Sequence, residues 1–160
     1  MGLDQYLSAK KYLSPAEWRG EQSKEQFEGV LKTVGAETYV RKEFPSAEVS
    51  VSVGYWRKAN AIHQWFVDNC QDGMDDCHSA IVEREQLQTL KSLCETILLE
   101  HQVTGSSELA KEELPTQSGF FFGSTEYDEY YFSDLTDTIE IVKACLEMPA
   151  EWDFSYQSSW

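Results

Sequence analysis

No stretch of this sequence is apolar for long enough to span a bilayer as a helix, which takes about 20 residues. The start, MGLDQYLSAKK, lacks the apolar core of a secretory signal, and Tyr6 stands where a myristoylation pattern wants Ser or Thr. The expectation is a soluble, cytoplasmic protein. Four cysteines (Cys70, Cys77, Cys94 and Cys145) form no CxxC pair and match no zinc spacing with His63 or His78, so reduced thiols are expected. Asp68, Asp72, Asp75 and Asp76 miss the EF-hand pattern because Cys70 stands at its second oxygen position. GxxxxGK[ST], GxGxxG and GxSxG are missing too, and with them the common phosphate loops and the nucleophile elbow. Neither a metal nor a cofactor is expected, and no catalytic residue is assigned.

Positive charge is scarce, with 13 Lys and Arg against 28 Asp and Glu. The deficit is uneven. Residues 1–67 hold nine basic and eight acidic side chains, whereas residues 68–160 hold four and twenty, a net −16. Such a field repels nucleic acid and acidic membranes, so neither is expected as a partner. A small anion remains admissible where a local cluster of donors outweighs the distant charge. The near-neutral N-terminal part is the place for one.

What the chain does have is rings. Aromatic residues make up 13% of its 160 residues, more than a core of this size needs, which points to a pocket or interface lined with them. The length predicts a single domain over residues 1–160. Residues 2–13 read as a strand and 22–34 as a short helix closed by Gly35. From Glu48, Val49, Val51 and Val53 alternate with Ser50, Ser52 and Gly54, the period of a half-buried strand. A helix is predicted from about Trp56 to Cys70, a short strand over 79–82, and a clear amphipathic helix over 84–100. A short helix before Pro115, an apolar strand or ordered loop at 119–123, a helix from about Glu126 to Met148 and a terminal strand complete the order. The fold class expected is α+β, a small antiparallel or mixed sheet packed against about four helices.

Three segments can carry chemistry. In GYWRKANAIHQWFV, Arg57 and Lys58 fall in the first turn of the expected helix, where cations oppose the helix dipole unless an anion joins them. Trp56 offers a stacking ring, and Asn60 and His63 follow one turn apart, facing a common ligand or each other. The structural alternative is a solvated Arg57–Lys58 pair with His63 buried and bonded to Asn60. In PTQSGFFFGSTEYDEYYF, Gln117, Ser118, Thr125 and Tyr127 offer donors and acceptors for a base or sugar. Ser124-Thr125 there also read simply as a helix cap followed by acidic first-turn residues. The terminal WDFSYQSSW reads as a strand, and Gln157, Ser158 and Trp160 complete the candidate ligand-binding set.

MGLDQYL, VGYWRKANAIHQWFV, LPTQSGFFFGSTEYDEYYF and YQSSW resemble a family of small proteins encoded mainly by bacteriophages and prophages. The resemblance implies the host cytoplasm as location and an anti-defence role. One such role is that of a sponge, which binds a nucleotide-derived immune signal without cleaving it and often shares its pocket between subunits of a homo-oligomer. A small anionic nucleotide ligand is then expected, a cyclic ADP-ribose isomer or a cyclic oligonucleotide. Two alternatives stand beside it: an enzyme acting on such a nucleotide with His63 as acid or base, and an acidic inhibitor of a host defence enzyme.

Overall fold

The computed structural model describes residues 2–160. Leu3, Leu7, Ala9 and Leu13 point inward while Tyr6 and Tyr12 stay exposed, and this period of two builds strand β1 (Asp4–Leu13). Its neighbour β2 (Ala47–Arg57) is longer than the Val-Ser alternation alone predicts. Among the described residues the sheet has four strands in the order β2-β1-β4-β3, antiparallel, with β3 spanning Ala80–Val82 and β4 Asp153–Ser159. The fold is α+β, as the segment order predicts.

Five α-helices are described: α1 (Glu21–Val34), α2 (Asn60–Cys70), α3 (Arg84–Thr104), α4 (Glu108–Glu113) and α5 (Glu129–Glu147). Residues 119–123 form a turn rather than a strand. The helix expected from about Glu126 starts at Glu129, because Asp128 and not Ser124-Thr125 is its cap. The Asp128 carboxylate accepts from the backbone N–H groups of Tyr130 and Tyr131.

The chain divides into two compact units. The smaller, residues 10–51, has its own core of Leu13, Phe27 and Leu31, with Val30, Ala36, Val40, Ala47 and Val49 packed around it. The larger comprises residues 1–9 and 52–160. There α3 packs along α5, and the core includes Ile62, Phe66, Leu90, Ile97, Leu135 and Tyr156. Burying each such side chain contributes about 1.5–3 kcal/mol. The helices close tightly on the strands. A Cβ at Gly54 of β2 would stand 2.7 Å from Ile141 of α5, which is why the strand carries glycine there. Arg84 ties the end of α5 to the last strand, donating to the carbonyls of Leu146, Pro149 and Trp152 while lying over the Phe154 ring. All four cysteines are free thiols, and burial pushes the Cys94 thiol up to about 12.

Candidate functional site

The site lies in the larger unit, where β2 hands over to α2. The helix expected from about Trp56 begins four residues later, at Asn60. Pairing with β1 decides this: the Lys58 N–H donates to the Leu3 carbonyl at 2.8 Å, so the strand ladder holds the chain through Arg57. Lys58 then turns the chain with φ +62°. Arg57 and Lys58 therefore do not occupy a helical first turn, and the helix dipole is no reason for their presence. Trp56 is also corrected. It is buried in the core, its Nε1–H donates to Thr138 Oγ1 at 2.9 Å, and its ring lies against Phe66, so it offers no face to a ligand.

Asn60 is buried and works as a clamp. Its Nδ2 donates to the carbonyls of Phe122 (3.1 Å) and Ser124 (2.8 Å), and its Oδ1 accepts from the Gln117 N–H (2.9 Å). One side chain thus fixes the 115–125 loop over the start of α2. Within the loop, Thr116 Oγ1 donates to the Thr125 carbonyl, and the Thr116 N–H donates to the Tyr127 hydroxyl. Tyr127 is therefore held internally, with its ring against Tyr131. The side chains of Gln117, Ser118 and Thr125 are exposed.

Beside this clamp is a cleft of about 440 Å³. Arg57 and Lys58 line it from the β2–α2 junction, and Glu126, Asp128, Tyr130 and Asp134 line it from the α5 side. Burial, reinforced by the Asp137 and Asp128 charges, pushes the Asp134 carboxyl up to about 7. Arg57 is also 3.9 Å from Asp4, whose carboxylate accepts from the Tyr55 hydroxyl at 2.5 Å. The cations thus have acidic neighbours, a more mixed field than the sequence suggests.

His63 belongs to a different cluster. It is fully buried, and neither ring nitrogen is bonded to Asn60. Its Nδ1 shares a 2.8 Å hydrogen bond with the Tyr156 hydroxyl. Its Nε2 stands 3.1 Å from Asp75 Oδ2, close but without the alignment of a hydrogen bond. The Phe122 ring meets His63 edge-on at 5.4 Å and Trp160 at 5.9 Å. Trp160 Nε1–H donates to Asp75 Oδ1, and Gln157 donates to the Cys77 carbonyl. Ser158 is buried and Trp160 is about half exposed.

The three segments singled out in the sequence do converge, but at Phe122, His63 and Trp160. Arg57 and Lys58 line the cleft instead. The contributors the sequence does not flag are Gln5, Asp75, Phe122, Asp134 and Tyr156. Only Gln5 carries a local signal, an uncharged polar residue in the inward register of a strand between Leu3 and Leu7. No family model, no curated protein and no solved structure matches the chain.

Proposed function

We propose that the protein binds and sequesters a nucleotide-derived signal, in the phage anti-defence role that its resemblance implies. The cleft carries this reading: it is large enough for a small ligand and has Arg57 and Lys58 at its margin with carboxyls from α5. Phosphate oxygens pair with the two cations. Ribose hydroxyls donate to Glu126 and Asp128, as carboxylates hold the ribose diol in dinucleotide folds. Asp134, part-protonated near neutrality, supplies either a donor or an acceptor. Tyr130, largely exposed, offers the ring for stacking that Trp56 cannot. Retention rather than turnover fits the position of His63, which is fully buried and does not line the cleft. The resemblance adds the expectation of a homo-oligomer, read from subunit mass in native mass spectrometry.

Calorimetric titration with cyclic ADP-ribose and cyclic di-AMP tests the assignment. Binding by the wild type and its loss in Arg57→Ala with Lys58→Ala is the expected pattern. Undiminished binding by the double variant would place the ligand elsewhere.

A further inference from the structure

The cleft is lined by opposite charges from two directions. Arg57 and Lys58 come from the β2–α2 junction, while Glu126, Asp128 and Asp134 come from α5 and the residues just before it. Among the described residues no ion pair joins the two sides; the partner of Arg57 is Asp4.

Asp134 stands apart from the other two acids. Glu126 is exposed and solvated, and Asp128 Oδ1 is committed to the Tyr130 and Tyr131 N–H groups, so neither discriminates strongly between ligands. The Asp134 carboxyl is half-buried and, among the described residues, accepts no hydrogen bond. The Thr138 hydroxyl donates to its backbone carbonyl instead. Ala61, Ile62 and Leu135 line the same cleft and keep the surroundings apolar, where each polar contact counts for more. The other titratable groups along the walls are the phenols of Tyr130 and Tyr131. Burial without a donor, together with the Asp128 and Asp137 charges, is what pushes the Asp134 carboxyl up to about 7.

What such a group lacks is a pair of donors. An ionised carboxylate has two oxygens and takes two O–H groups side by side, the arrangement of a vicinal diol. A ribose with free hydroxyls supplies that pair. A phosphate at the same place would meet like charge, so the anionic end of the ligand is left to Arg57 and Lys58.

We infer that Asp134 is the specificity-determining residue of the cleft: it accepts from both hydroxyls of a free ribose diol, so the site selects nucleotides unesterified at that pair and releases a proton on binding them. This rests on the reading of the ligand as nucleotide-derived and adds which of its hydroxyls are read. Donation from the diol favours the ionised carboxylate, so the Asp134 proton passes to solvent as the ligand enters. Cyclic ADP-ribose, which keeps free vicinal pairs, is favoured over a cyclic dinucleotide, whose 3′ oxygens are esterified.

The test titrates adenosine 5′-monophosphate, its 2′-deoxy form and its 3′-deoxy form into the wild type, Asp134→Asn, and Arg57→Ala with Lys58→Ala, at pH 6 and pH 8. The phosphate is common to all three probes, so its own titration cancels in their ratios. At pH 8 the wild type should bind the ribose form about tenfold more tightly than either deoxy form, the effect of one lost hydrogen bond. That ratio should shrink at pH 6. In Asp134→Asn it should be small and independent of pH. Calorimetry at pH 7 in buffers of different ionisation enthalpy should show more proton release with the ribose form than with the deoxy forms, in the wild type alone. Equal binding of all three by the wild type, lost in the Arg57 and Lys58 double variant, would overturn the diol contact and leave the cleft as an anion site. A ribose preference that persists in folded Asp134→Asn would overturn it as well, since the diol is then read elsewhere. Binding of none of the three would overturn the inference together with the reading it rests on.

Discussion

The indole of Trp160 donates to Asp75 at 2.9 Å, and the other oxygen of that carboxylate stands 3.1 Å from the buried His63 ring. The Trp160 side chain is therefore tied to the loop that connects α2 to β3. Trp160→Ala should loosen this loop while leaving the core intact. Hydrogen exchange of residues 71–79 should rise, with a stability loss of about 1 kcal/mol, the net value of one hydrogen bond. Unchanged exchange there would mean that the tie does not hold the loop.

Deleting residues 156–160 is a different matter. Tyr156 is fully buried, bonded to His63 and stacked on Phe66, so the terminal strand is part of the core rather than a frayed end. Loss of an aromatic core residue costs about 3–5 kcal/mol. The truncated chain should melt far below the full chain or not fold at all. A melt within a few degrees of the full chain would contradict the placement of β4.

Arg57→Ala should abolish retention of a phosphate-bearing ligand at little cost to the fold. The Arg57 side chain is mostly exposed and its ion pair with Asp4 is a loose 3.9 Å approach, a contribution of at most about 0.5 kcal/mol. Thermal melts and titrations with cyclic ADP-ribose on the same samples separate the two effects.

Asp134 makes stability depend on pH in a direction opposite to that of a salt-bridged carboxylate. Its folded-state value, about 7, is above the ordinary carboxylate value, so between roughly pH 4 and 7 the folded chain binds more protons than the unfolded one. Its contribution therefore becomes less favourable as pH rises through that window and is level above it. Asp134→Asn should be more stable than the wild type at pH 8, with a flatter profile from pH 4 to 7. Denaturant melts across that range check it, and equal slopes in both proteins would refute the assignment.

Much of this fold is legible from clean periods. The strand expected over residues 2–13 is β1, and of the expected inward stripe of α3 Leu87, Leu90, Cys94 and Ile97 are buried while Leu93 and Leu98 are partly so. The β2–α2 junction is not legible, because YWRKAN contains no glycine or proline, and Asn60, its one cap-type residue, is the first residue of α2 rather than its cap. What decides there is the distant pairing of Lys58 with Leu3. The start of α5 is ambiguous for a similar reason: Ser124, Thr125 and Asp128 can all cap, and Asn60 engages the Ser124 carbonyl from another element. His63 and the YQSSW end are recognisable as candidates, yet Asp75 is not. A loop aspartate becomes informative only once the fold brings it between them.

The most direct test of sequestration is to load the protein with cyclic ADP-ribose or cyclic di-AMP, remove free ligand, denature by heat and weigh what is released. Intact nucleotide, recovered in proportion to protein and absent from Arg57→Ala with Lys58→Ala, is the expected result. Release of a cleaved product, or no ligand carried by the wild type, would contradict the account.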